Sequence, residues 1–326
     1  MLKIKTPARI HFGQLDLNGD LGRIYGGSGV GVKEPYTLIY FEKSTKLEVE
    51  GHNNIKNIAE DFLRSLKKEN LLAEDAAIKI NVEKLLPAHC GLGSGTQIGL
   101  SIAEAVNHLY DLNLKEKRAA NLVNRKHSRS AIGFGAFYQG GFIVDGGRPT
   151  SQKKNDNYLP PILLREEIPE NWHFIIIILN EASDKVAGKK EIKIFNNIEK
   201  MQLKKSAENC HHLVLGMLPA LAENNLSKFA KHLNIIEDNV ANYFAHIQGG
   251  KYSSPCSEEL IDLMEREGIQ ARGQSSWGPS LYGIAGDKEK LLKIKRKLEN
   301  EYSTIIKNVY ITKAANSGAE ISLVQK

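Results

Sequence analysis

Apolar residues recur along the chain with two periods. Ile55, Ile58, Ala59, Phe62, Leu63 and Leu66 keep helical spacing and predict a helix over Asn53–Asn70. Residues 2–10 and Ala77–Val82 read as strands, and Tyr36–Glu50 carries the strand formers Thr37, Ile39, Phe41 and Val49. A Gly-rich stretch (Gly19, Gly22, Gly26, Gly27, Gly29, Gly31) leads from the first of these into Tyr36–Glu50. Helices are predicted at Ser94–Tyr110 and Lys115–Arg125, and strands at Gly140–Asp145 and Trp172–Asn180. The aliphatic run from Phe174 to Leu179 reads as a buried strand, far short of the ~18 apolar residues of a membrane span. The second half is helix-rich, with helices expected at Lys189–Lys200, Gln202–Glu223, Ser227–His246 and Ser257–Glu267. A strand, Gly-rich loop, strand, helix, strand pattern closes the chain from Ile269 to Val324. The polar loop Arg148–Asn157 suggests a division into domains 1–150 and 151–326. Strands and helices are segregated within each half, so the expected class is α+β.

Composition narrows the function classes only slightly. The 326 residues are 41% hydrophobic and 25% charged, which excludes global disorder. Lys and Arg number 44 against 38 Asp and Glu, for a formal charge of +6. So mild an excess permits an anionic ligand without requiring nucleic acid. Cys90, Cys210 and Cys256 have no paired spacing, which suits a reducing cytosol, and MLKIKTPARIHFG lacks the apolar core of a signal peptide. A cytoplasmic protein with no membrane partner is expected.

The candidate chemistry lies in two loops. Pro87–Gln97 runs between a predicted strand and a predicted helix, with Gly91, Gly93 and Gly95 in five residues. Ser94 or Thr96 can cap that helix, whose first amides lack internal partners and form an anion site, most naturally for phosphate. No Gly-Lys-Ser/Thr follows, and Thr96–Gln97 stand where a dinucleotide fingerprint needs its third glycine. The second loop, Arg272–Gly283, offers Gln274, Ser275 and Ser276 to a polyanion, and Trp277 suits a ligand wall.

Together these segments resemble the GHMP small-molecule kinase superfamily. Pro87 and Gly91–Ser94 match its central signature, Gly273–Gly278 its C-terminal loop, and Ser130–Gly141 its Ser-Gly-Ile-Asp stretch and following Gly-Gly pair. The resemblance implies an S5-domain-2-like N-terminal half and a ferredoxin-like, helix-rich C-terminal half. One departure is decisive. Gly133 stands where these kinases place a catalytic Asp, and no acidic residue occurs between Glu116 and Asp145. Phosphoryl transfer leans on metal-aided charge stabilisation, so a kinase reading is undermined.

Further blocks resemble the beta-ribofuranosylaminobenzene 5′-phosphate synthases of that superfamily. They are Ala8–Gly19, Gly22–Arg23, Gly26–Gly31, His89 with Gly91–Gln97, Arg129–Gly133, Gly140–Gly147 and Gln274–Trp277. The resemblance implies a decarboxylating phosphoribosyltransferase of methanopterin synthesis. It joins 4-aminobenzoate or 4-hydroxybenzoate to phosphoribosyl pyrophosphate (PRPP) and releases CO2 and pyrophosphate, with Mg2+ and without ATP. For that reaction the amides of Gly91–Gln97 are candidates to hold phosphate, with Ser130 beside them and Arg129 as a clamp. Arg9, Arg23 and Arg272 are candidates for the aryl carboxylate. His11, Asp16, His89 and Asp145 are candidates for acid–base or metal work, the two aspartates for Mg2+. A homodimer is the commonest prior for a soluble enzyme. An ATP-dependent kinase of the superfamily remains the alternative. A non-enzymatic RNA-binding protein is a weaker one, because the positive charges are interleaved with acids.

Overall fold

The computed structural model describes residues 1–123, 129–152, 158–180, 199–252 and 254–325. Residues 189–198 of the helix expected at Lys189–Lys200 lie outside them.

The chain opens with two long antiparallel strands, β1 (Leu2–Asp16) and β2 (Arg23–Ser44). β2 contains most of the Gly-rich stretch that the sequence presents as a lead-in. The glycines serve close packing. A Cβ at Gly29 would meet the Ile10 carbonyl oxygen at 2.4 Å and Ile132 at 2.6 Å, and one at Gly27 would meet the His11 ring at 2.9 Å. Strand propensity fails there because the strand needs missing side chains. The β1–β2 register shifts between His11 and Gln14, around Gly13. Such a bulge re-aims neighbouring side chains.

Next come β3 (Glu48–Val49), α1 (Asn53–Lys68), β4 (Ala77–Lys84), α2 (Ser94–Tyr110), α3 (Glu116–Leu122) and α4 (Ile132–Tyr138). β5 (Phe142–Asp145), β6 (Arg148–Pro149) and β7 (Ile162–Glu166) follow, then β8 (His173–Leu179). Among the described residues the first sheet has eight strands. β12-β1-β2-β4-β3 forms its main path, with β12 at Glu320–Leu323, while β5 and β6 pair with β2 and β7 pairs with β5. This sheet therefore draws strands from both sides of residue 150. Its outer face packs Ile4, Ile39, Phe41, Ile78 and Ile80 against helical residues such as Phe62, Leu66, Leu100 and Phe134.

The helix expected at Gln202–Glu223 is α5 (Leu203–His212), a π turn (Leu213–Met217) and α6 (Leu218–Ala222). Then come α7 (Leu226–Gln248), α8 (Pro255–Arg266), β9 (Ala271–Gln274), β10 (Ser280–Ala285), α9 (Lys288–Glu301) and β11 (Ile306–Lys313). The second sheet runs β11-β8-β10-β9, all antiparallel. β8 is buried on both faces, which explains its unbroken aliphatic run. Phe174, Ile176 and Ile178 meet Ile10, Phe12, Phe229 and Leu233 in the core shared by the two sheets. Ile175, Ile177 and Leu179 pack under residues of α8 and α9, such as Leu260 and Leu291. No described helix is long and apolar enough to cross a membrane.

Candidate active site

A cleft of about 830 Å³ opens between β1, the N-termini of α1 and α2, the 129–133 segment, α7 and the 274–277 loop. Its phosphate side centres on α2. Gly93, left-handed at φ 80°, is the N-cap residue, and no side chain caps the helix. The expected Ser94 or Thr96 cap is therefore not formed, because Ser94 is already the first helical residue. Thr96 N and Gln97 N donate to the Gly93 carbonyl, both at 3.1 Å. Ser94 and Gly95, ahead of them, line the cleft. A helix start without a cap leaves its first amides to a ligand.

The two Gly loops interlock. A Cβ at Gly91 would lie 2.1 Å from the Ser275 carbonyl oxygen, and one at Gly278 would lie 2.2 Å from Gly91 N. The Ser275 hydroxyl donates to the Gly91 carbonyl at 2.7 Å and accepts from His11 N at 3.1 Å. Arg9 Nη1 also donates to that carbonyl, and Arg9 N donates to Leu92 O at 3.0 Å. Loops 184 positions apart in sequence are thus held as one wall.

Arg9, His11, His89, Gly91, Gly93, Ser94, Gly95, Thr96, Arg129, Ser130, Gln274, Ser276 and Trp277 all line this cleft. The His11 imidazole is held neutral: burial, then the Arg9 charge, lowers its pKa to about 3. It can exchange hydrogen bonds with a substrate but is not a cation. Arg129 lies over the Tyr25 ring, 5.9 Å from its centroid. A Cβ at Gly133 would meet the Thr96 methyl at 3.2 Å, so Thr96 takes part of the space a carboxylate there would need.

Six of the expected residues do not line the cleft, and their side chains are engaged elsewhere. Asp16 Oδ1 accepts from Asn18 N at 2.6 Å and Gly19 N at 2.9 Å, and so shapes a turn. Asp145 is buried; its oxygens accept from the Ser130 hydroxyl (2.7 Å), Ala131 N (2.9 Å) and Gly147 N (2.9 Å). It orients Ser130 at the start of α4. Arg23 donates to the carbonyls of Gly146 and Gly147, and Arg272 pairs with Glu265. Gln97 Nε2 donates to the Gly133 carbonyl at 2.9 Å and ties α2 to the 129–133 segment. Ser275 is the buried link between the loops. Among the described residues, no three His, Cys, Asp or Glu side chains are grouped to hold a metal ion.

The opposite side of the cleft has a different character. α7 presents Glu237, Val240, Ala241, Phe244 and Gln248 along one face, with Lys251 and Tyr252 just beyond. Phe244 and Trp277 meet edge to face, 4.7 Å between centroids. Glu237 is buried, and burial raises its pKa to about 8 against the opposing pull of hydrogen bonds from Tyr282 and Gln274 N. None of the α7 residues stood out in the sequence. A carboxylate in register with Phe229, Ala230, Leu233 and Phe244 was the available signal, hidden by an ordinary helical pattern.

Residues 53–140 match the GHMP kinases N terminal domain, and residues 217–304 match the GHMP kinases C terminal family. The beta-ribofuranosylphenol 5′-phosphate synthase of Methanothermobacter thermautotrophicus is 32% identical over 88% of this chain and 89% of its own length. That of Methanocaldococcus jannaschii is 30% identical over 98% and 99%. The chain belongs to the beta-ribofuranosylphenol 5′-phosphate synthase family. Kinase relatives of this synthase family member are more distant: the 4-diphosphocytidyl-2-C-methyl-D-erythritol kinase of Thermoanaerobacter pseudethanolicus is 23% identical over 87% of the chain and 86% of its own length. Among solved structures, homoserine kinase from Cytophaga hutchinsonii superposes with a TM-score of 0.70 at 16% identity, covering 98% of this chain and 97% of that one. Mevalonate diphosphate decarboxylase from Staphylococcus aureus gives 0.68 at 16% identity, covering 99% of both chains. These likenesses show the GHMP-kinase fold for this chain.

Proposed function

We propose that the chain is a decarboxylating phosphoribosyltransferase that joins an aryl acid to PRPP with release of CO2 and pyrophosphate. The relatives' product is a ribofuranosylphenol phosphate, so 4-hydroxybenzoate is the proposed acceptor here, ahead of 4-aminobenzoate. One observation carries the reading. The phosphate side of the cleft has an uncapped helix start and two arginines, with no acidic residue from 117 to 144, and it faces a wall where Val240, Phe244 and Trp277 offer apolar and aromatic surface. That pairing suits a diphosphate donor and a flat aryl acceptor better than a nucleotide and an alcohol.

In this reading the departing diphosphate lies against the Ser94 and Gly95 amides and Arg129. Fixed donors of this kind stabilise charge as it develops on the leaving group. The neutral His11 imidazole supplies a further hydrogen bond. The aryl ring lies against Val240, Phe244 and Trp277, which exclude water from the ribosyl cation-like transition state. Mg2+ enters the proposal as a counter-ion of the diphosphate itself. Asp16 and Asp145 do not face the cleft, and Glu237 lies on its aryl side, so among the described residues no carboxylate-built metal site fits and no step is routed through the ion.

The test is direct. The purified protein with PRPP, Mg2+ and either aryl acid releases pyrophosphate and CO2 in equal amounts. Release of neither, or aryl-independent ADP formation from ATP with a small alcohol, overturns the reading.

A further inference from the structure

Glu237 has an environment that invites an explanation. It lies on the α7 face that carries Val240, Ala241, Phe244 and Gln248 into the cleft, and it brings a carboxylate beside the apolar Val240 and Ala241. Its seat is built for it. The Tyr282 hydroxyl donates to Oε1 at 2.8 Å. A Cβ at position 273 would meet Glu237 Cδ and Oε2 at 2.7 Å and the Tyr282 hydroxyl at 2.8 Å, so only glycine leaves room. Burying a carboxyl group is costly, and an apolar residue would fill the same place without that cost. Buried, cleft-facing carboxyl groups of this kind concentrate at reacting sites.

We propose that Glu237 is a catalytic residue that takes the proton from the 4-substituent of the aryl acid as the ring attacks, and returns it afterwards. This inference rests on the proposed function and specifies its chemistry. The ring carbon bearing the carboxylate forms a bond to C1 of the ribose, and the C1–O bond to diphosphate breaks, its electron pair leaving with pyrophosphate. The 4-hydroxyl proton passes to the Glu237 carboxylate, leaving a dienone with an uncharged ring that still carries its carboxylate. The carbon–carboxylate bond then breaks as CO2 departs. Its electron pair restores the aromatic ring, and the 4-oxygen recovers the proton from Glu237. Protons balance without any other acid or base.

The surroundings favour a group that can hold or release a proton near neutrality. Tyr282, Gln274 N and Asp238 act directly on the carboxyl, and its pKa stands at about 8. Asp238 is itself paired with Lys251 at 2.7 Å. Tyr252 lines the cleft nearby, Arg272 on β9 is engaged by Glu265, and β1 contributes Arg9 and the neutral His11. Further back on α7, His232 is turned to His212 of α5.

The test compares wild type with Glu237→Gln, whose amide can still accept from Tyr282. General acid–base groups contribute about 10²–10⁴-fold, so turnover should fall by at least about 100-fold while PRPP binding by calorimetry is unchanged. The deficit should shrink with 3,5-difluoro-4-hydroxybenzoate, whose more acidic hydroxyl needs less help, a response that a merely structural residue would not produce. In wild type, kcat/KM should rise with pH through about 8 as the base ionises. If Glu237→Gln fails to fold, Tyr282→Phe decides: it removes a hydrogen bond that favours the charged form, so the rising limb must move to higher pH. An active wild type with an equally active Glu237→Gln, or an unmoved limb in Tyr282→Phe, overturns the inference alone. A wild type that releases no pyrophosphate overturns the proposed function and this inference with it.

Discussion

The two sides of the cleft solve opposite problems with opposite materials. Around α2 the contacts are backbone: an uncapped helix start, interlocked glycines and flanking arginines that brace or face the loop. Around α7 they are side chains: aliphatic and aromatic groups with one buried carboxyl. A polyanion needs fixed donors at close range, which backbone supplies without side-chain entropy. A flat ring needs apolar surface and a single well-placed proton acceptor. Under the proposed function, a kinase-type Gly-rich loop is kept while the chemistry moves to the opposite wall.

Breaking the phosphate side should have the largest effect. Gly91→Ala forces a Cβ to within 2.1 Å of the Ser275 carbonyl at a residue with φ 75°. It should cost about 4 kcal/mol or more of stability and abolish PRPP binding, read by denaturant unfolding and calorimetry. A stable variant with normal affinity would show that the loops are not interlocked. Arg129→Ala removes a charged donor worth about 1.5–3 kcal/mol, so KM for PRPP should rise by about 10- to 100-fold. The aryl acid KM should stay put; the reverse pattern would assign Arg129 to the aryl carboxylate.

The two sides also differed in how legible they were. Gly91, Gly93 and Ser94 announce themselves because a backbone site is written as glycines before a helix, and the α2 helix was predicted with its observed bounds, Ser94–Tyr110. Glu237 and Phe244 do not, because a side-chain site on a helix shares its periodicity with ordinary core. The strand character of Gly26–Gly31 was illegible for a third reason: its glycines answer to His11 and Ile132, which are distant in sequence. Asp16, Arg23 and Asp145 had the right chemistry in the right neighbourhood, but local turns and carbonyls claim them. Spacing alone does not reveal which polar groups the fold has already used.

Phe244→Ala probes the other side. An aromatic contact is worth about 0.5–1.5 kcal/mol beyond burial, so the aryl acid KM should rise by several-fold or more while the PRPP KM stays unchanged. The smallest expected effect is on acid stability. His11 has a folded pKa near 3 against 6.5 when unfolded, so its contribution is fully present above pH 6.5 and is lost as pH falls toward 3. In His11→Gln the denaturation midpoint should fall less steeply over that window; an unchanged slope would mean that the imidazole is not held neutral.

The most direct test of the division of labour is a calorimetric titration of PRPP, with Mg2+, into Arg129→Ala and Phe244→Ala. Binding should be at least about tenfold weaker in the first and of wild-type affinity in the second. Equal weakening in both, or weakening in Phe244→Ala alone, would contradict it.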